Sequence, residues 1–140
     1  MKTRLVAFLL TVTLALPLLS GSMPAVAQSA QVTGDCAVFS SDLNYPDGSI
    51  VAKNTWITKR WQLYNCGTTN WKGYSVRKQY GTLGPGYFTI DKSAAGGAYI
   101  EVYATFNTGT TAGRYISGYR LYNKSSQAFG ETFYFDLTVR

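Results

Sequence analysis

The sequence has no histidine. That absence excludes the Ser-His-Asp and Cys-His nucleophile systems, every HExxH-type zinc site and an imidazole switch near neutral pH. GxSxG and phosphate-loop patterns are missing as well. Cysteine is scarce. Cys36 and Cys66 are the only two, and without histidine they fall short of a tetrahedral metal set. Acidic residues are few: Asp35, Asp42, Asp47, Asp91, Glu101, Glu131 and Asp136. A hydrolase pair needs carboxyls about 5–9.5 Å apart with shifted pKa values, and no such pair can be picked out. Asp47, inside Pro46-Asp47-Gly48, fits a turn role in which its side chain bonds its own backbone. These absences predict a chain that is not an enzyme and that holds no metal and no cofactor.

Long apolar runs are also lacking after the N-terminus. Met1-Lys2-Thr3-Arg4 is basic, Leu5 to Leu19 is apolar, and small residues at Ala25 and Ala27 follow. These are the three parts of a secretory signal, predicted at 1–27 with cleavage after Ala27. The apolar run contains Pro17 and is shorter than the roughly 20 residues a spanning helix needs. The expected product is therefore secreted or held at the cell surface, with no stable membrane insertion after cleavage. An even cysteine count in an oxidising compartment favours a Cys36–Cys66 disulfide over two free thiols. Lys and Arg number 13 against 7 Asp and Glu; without Lys2 and Arg4 the processed chain has 11 against 7, a net +4. That is too modest for a nucleic-acid footprint, and no nucleic-acid partner is expected.

What the chain does have is tyrosine, eleven of them, and short alternating runs. Residues 28–34 are small and polar and read as a flexible leader. Period-2 alternation then predicts strands at Cys36–Ser40, Trp56–Asn65, Trp71–Tyr80, Tyr87–Ile90, Ala98–Phe106, Arg114–Tyr122 and Phe129–Val139. Ile57, Trp61 and Leu63 share one face of their strand. Ile100, Val102, Ala104 and Phe106 do so on theirs, and Phe133, Phe135, Leu137 and Val139 on the last. No stretch of 11–18 residues has helical periodicity. About seven strands over some 100 residues predict an all-β, immunoglobulin-like antiparallel β-sandwich, in preference to a closed barrel.

Four collinear segments carry a resemblance. They are Asp42-Leu-Asn-Tyr-Pro-Asp-Gly48, the stretch from Ile57 to Trp71 with Lys59, Trp61, Leu63, Asn65 and Gly67 in register, Gly113-Arg-Tyr-Ile-Ser-Gly-Tyr119-Arg-Leu121, and Phe129-Gly130 through Tyr134. Together they resemble the four-tryptophan (FW) domain, found at the centre of a eukaryotic selective-autophagy receptor and in many bacterial secreted or surface proteins. The likeness spans residues 35–140. Two of the signature tryptophans are kept, Trp61 and Trp71, while Tyr119 and Tyr134 occupy the other two positions. The resemblance implies an immunoglobulin-like fold and binding of a protein or peptide partner, without catalysis.

Candidate contact residues follow from the aromatics. Trp61 reads as a structural core residue by its parity. Trp71, at a turn, Tyr119 and Tyr134 are ligand-binding candidates, with Tyr134 on the outer face. Outward Tyr99 and Tyr103 offer a platform for a flat pyranose ring, so a carbohydrate-binding module is the alternative function and a glycan the alternative partner. Tyr74 and Tyr80 flank the basic pair Arg77-Lys78. Lys59 shares the inward parity of Trp61, which poses a choice between stacking on an aromatic ring and snorkelling to water.

Overall fold

A computed structural model describes residues 31–140. The predicted signal, 1–27, and the first residues of the predicted leader lie outside the described residues. Of the rest of that leader, Val32 forms an isolated bridge with Gly67 and donates its N–H to Cys66 O at 2.8 Å.

Eight strands follow: β1 (Ala37–Asp42), β2 (Ser49–Val51), β3 (Trp56–Asn65), β4 (Ser75–Tyr80), β5 (Tyr87–Thr89), β6 (Tyr99–Asn107), β7 (Gly113–Tyr122) and β8 (Ala128–Val139). They make two sheets, β1-β3-β6 and β2-β8-β7-β4-β5. This is the all-β, immunoglobulin-like sandwich that alternation predicts. Two details differ. Ser49–Val51 forms a strand that pairs with β8 in parallel, so the five-stranded sheet is not wholly antiparallel. Three residues are too few to display a period of two, which is why alternation passes over them. The expected strand from Trp71 begins only at Ser75, because 71–74 is a turn: Tyr74 N–H donates to Trp71 O at 2.9 Å and Gly73 takes φ +79°.

Apolar residues of both inner faces meet between the layers, as alternation requires. Trp61, Phe133, Phe135, Leu63, Leu121, Leu137 and Val139 are all buried. Trp61 lies 5.6 Å from Tyr119, 5.2 Å from Phe133 and 6.5 Å from Phe135, centroid to centroid, and Phe106 continues the stack at 5.2 Å from Phe135. Its indole N–H donates to Tyr134 O at 2.8 Å, which satisfies the polar tip. Burial of each such ring is worth about 2–3 kcal/mol. The disulfide is formed, Cys36 to Cys66, with Cα atoms 5.0 Å apart, one register step beyond the Ala37–Asn65 pair of β1 and β3.

Lys59 is a charged residue among the buried ones. It is fully buried, so snorkelling is ruled out. Its three ammonium protons meet three acceptors: Asp42 Oδ1, Asn44 O at 2.6 Å and Tyr45 O at 2.8 Å. The Trp61 ring lies 5.7 Å away, near the outer limit for a cation–aromatic contact. The ion pair with Asp42 is the stronger tie and was not read from the sequence. Tyr45 is held at φ +44°, uncommon for a non-glycine residue, while Lys59 grips its carbonyl. Asn44 completes the clamp by bonding Thr58 O and Arg60 N–H, both at 2.8 Å. The 42–48 loop is thereby fixed to β3.

Candidate functional site: an open edge and a tyrosine face

Nine residues of β6 alternate strictly, with Ile100, Val102, Ala104 and Phe106 buried and Tyr99 and Tyr103 exposed. Register with β3 is unbroken from Trp56–Asn107 to Tyr64–Tyr99. In an antiparallel pair, residues alternate between those bonded to the partner strand and those whose N–H and C=O turn away. The flanking bonds set the phase: Asn65 N–H donates to Ala98 O at 2.9 Å, and Thr108 N–H to Thr55 O at 2.9 Å. Ile100, Val102, Ala104 and Phe106 therefore bond to β3. Tyr99, Glu101, Tyr103 and Thr105 direct their backbone groups to the outside, where no strand among the described residues meets them.

Along this edge lies a hollow of about 80 Å³ between the end of β5 and β6, lined by Thr89, Ile90, Asp91, Lys92, Glu101, Val102 and Tyr103. Ile90 and Val102 are buried and make its apolar part. Asp91, Lys92 and Glu101 give it charges of both signs.

On the outer face beside the edge, Tyr99 is 63% and Tyr103 48% exposed. Tyr64 of β3, directly opposite Tyr99, packs its ring at 4.9 Å and 43° to it. Arg60, opposite Tyr103, pairs with Glu101 at 3.4 Å. Tyr64 is not among the candidates read from the sequence. The cross-strand register that joins it to Tyr99 is what a single strand's pattern cannot reveal.

A second hollow, about 120 Å³, lies where β1 meets β8, lined by Phe39, Asp42, Asp47, Glu131, Thr132, Phe133 and Tyr134. Its carboxylates are engaged within the fold: Asp42 with Lys59, Asp47 with the Tyr134 hydroxyl at 2.7 Å, and Glu131 with Phe39 N–H at 2.6 Å. The hydrogen bond to Asp47 raises the Tyr134 phenol above its ordinary pKa, with the negative charge of Asp47 adding to it. Among the described residues no three His, Cys, Asp or Glu side chains gather into a metal set.

The structure sorts the aromatic candidates. Tyr99, Tyr103 and Tyr134 are exposed and reachable. Trp71 and Tyr119 are fully buried, and ligand contact by either is corrected here. Trp71 turns inward because its turn, rather than a strand, sets its direction; its ring packs 5.8 Å from Phe129. Tyr119 is driven in by inward parity on β7 and by the Trp61 cluster, and burial pushes its phenol well above the ordinary value. The group at residues 74–80 also divides. Tyr74 is buried and bonds Asp35 at 2.8 Å, and Lys78 turns in to donate to Gly84 O at 2.6 Å. Of the two tyrosines and the basic pair, Arg77 and Tyr80 stay on the outer side.

Residues 44–139 match the family described as the Ig-like domain from next to BRCA1 gene. No curated protein matches the chain. With 96 residues aligned, 44 through 139, out of 140, the chain belongs to that Ig-like domain family.

Proposed function

We propose that this Ig-like chain is an exported, non-catalytic binding module that recognises an extended peptide segment of a protein partner along the free edge of β6. One observation carries the reading: the backbone groups of Tyr99, Glu101, Tyr103 and Thr105 face outward along an unbroken strand, and no strand among the described residues pairs with them. A peptide strand added there gains main-chain hydrogen bonds, and the neighbouring 80 Å³ hollow takes one of its side chains. The finer assignment, an FW-type domain of the bacterial secreted kind, is supported by Trp61, Trp71 and the tyrosines at the two remaining signature positions. Export and a place at the cell surface or outside it are supported by the N-terminal signal pattern and by the disulfide, which belongs to oxidising compartments.

Selection from a library of extended peptides tests the reading. Binders are expected to slow amide exchange at Tyr99, Glu101, Tyr103 and Thr105, and Glu101→Pro, which removes an outward donor, is expected to weaken them at least tenfold. Binders that leave those amides unchanged would sink it. A neutral glycan platform is the second reading, favoured by the exposure of Tyr99 and by its contact with Tyr64. Retention on neutral polysaccharide that disappears in a Tyr99→Ala/Tyr103→Ala variant would replace the first reading with this one.

A further inference from the structure

The outer face of the five-stranded sheet is remote in kind from the β6 edge, and it is basic. Arg77 of β4 stands directly opposite Arg120 of β7. Like charges facing each other across an antiparallel pair are destabilising by themselves. Neither guanidinium joins any of the ion pairs among the described residues, which use Lys59, Arg60 and Arg114. Each guanidinium has five N–H donors, and the fold employs one of each: Arg77 Nη2 to Ser126 Oγ at 2.9 Å, and Arg120 Nε to Gly130 O at 3.0 Å. The Nε of Arg77 is itself buried and meets no acceptor among the described residues. Both side chains are half-buried, so their charge is partly desolvated.

The pair is held in place. Arg77 stacks over Tyr122, with its guanidinium carbon 4.4 Å from the ring centroid. That contact fixes the planar fork and lowers the entropy lost when it grips an anion. On the other side of Arg77, directly opposite on β5, is Tyr87, 56% exposed. The next row along the sheet places Tyr80 against Gly118, whose missing Cβ would meet the Tyr80 ring at 2.3 Å. Tyr134 follows, opposite Gly118 on β8. The face therefore presents exposed tyrosine rings on either side of two forks without carboxylate partners.

We propose that this face binds a linear polysaccharide bearing carboxylates, a uronate-type glycan, with Arg77 and Arg120 gripping carboxylate groups and Tyr87 and Tyr80 packing against the sugar rings. Guanidinium forks match carboxylates in two-point geometry. Exposed aromatic rings beside them suit the C–H face of a pyranose, a surface that an acidic polypeptide does not offer. The site is separate from the β6 edge, so it stands or falls without the peptide reading.

Affinity electrophoresis in polygalacturonate tests it, with fully methyl-esterified polygalacturonate and polyglutamate as the other matrices. The wild-type chain is expected to be retarded by polygalacturonate at least tenfold more strongly than by its neutral ester. An Arg77→Gln/Arg120→Gln variant is expected to lose at least tenfold, and Tyr87→Ala several-fold. Arg77→Lys, which keeps the charge and the stem but loses the fork, is expected to fall between wild type and the double variant. Lys53→Gln, a cation outside this face, is expected to match wild type. The proposal is overturned by equal retention on the ester, by equal or stronger retention on polyglutamate, by an unaffected Tyr87→Ala variant, or by a Lys53→Gln loss equal to that of the arginine variants. Circular dichroism of each variant confirms that loss of binding is not loss of fold. If the double variant unfolds, Tyr87→Ala and Arg77→Lys decide the question.

Discussion

β1 and β6 are the two outer strands of one three-stranded sheet, and their free sides are treated in opposite ways. β1 is short, and its register shifts between Phe39 and Ser41. Its Phe39 N–H is taken by the Glu131 carboxylate at 2.6 Å. Gly130 of β8 comes so close that a Cβ there would stand 2.7 Å from that of Ala37. A bulge, a charged side chain and a covering strand are the usual ways of closing a sheet edge. β6 has no bulge and, among the described residues, no covering strand, and its one charged residue, Glu101, pairs with Arg60. It is three residues longer and in continuous register, and no strand among the described residues pairs with its free side. An edge left open opposite one closed three times over suits the added peptide strand proposed above, and the tyrosines next to it are the side chains such a partner would meet.

The closed side can be broken. Lys59→Met leaves Asp42, the last residue of β1, and the carbonyls of Asn44 and Tyr45 without their shared donor. Removing one partner of a buried pair costs about 3–5 kcal/mol. Urea unfolding is expected to show a loss of that size, far beyond what a cation–aromatic contact alone would give. Cys36→Ser/Cys66→Ser comes next. The bridge spans 30 residues and ties the start of β1 to the end of β3, and on the chain-entropy model its removal costs about 3–4 kcal/mol. Neither change touches the β6 edge, so peptide binding by the fraction still folded is expected to be retained.

How far these features can be read in advance depends on the range of the interaction. Inward and outward residues of β3, β6 and β8 are local properties of alternation, and the sandwich follows from them. The inward direction of Lys59 was equally legible. Its partner Asp42 was not, because a loop brings together residues 17 apart and no period records that. Trp71 misled because a turn that folds inward and a strand that begins outward share the same residue types. β2 is held by the neighbour it pairs with in parallel rather than by any pattern of its own. Arg77 was legible as a cation among tyrosines, but Arg120 was not, and the two become a pair only through the β4–β7 register.

Acid probes a third tie on the closed side. Burial opposes ionisation of Asp35, just before β1, but hydrogen bonds from Thr69, Asn123 and Tyr74 outweigh it and hold its pKa below the ordinary carboxylate value. A carboxyl depressed in the folded state stabilises fully above its unfolded pKa of about 3.9, and that contribution is lost as pH falls through the folded value. Stability is therefore expected to decline as pH is lowered from about 4. Asp35→Asn, less stable at neutral pH, is expected to show a shallower decline over the same range. Equal slopes in a denaturant series at several pH values would remove Asp35 from the account.

The mildest measurement perturbs nothing and bears most directly on the two edges. Native-state amide exchange reads whether an N–H is bonded. Along β6, Ile100, Val102, Ala104 and Phe106 bond to β3 and are expected to exchange slowly. Tyr99, Glu101, Tyr103 and Thr105 point outward, and are expected to exchange faster by an order of magnitude or more, so that protection alternates residue by residue. On β1, the Phe39 amide also points away from its neighbouring strand, yet Glu131 accepts its proton, so it is expected to resemble the bonded set. Glu131→Gln, which weakens that charge-assisted bond, is expected to speed exchange at Phe39 and leave β6 unchanged. Uniform protection along β6 would mean that something already covers the edge, a second copy being the simplest case. Slow exchange confined to alternate residues would show the edge free, with its backbone groups available to an incoming strand.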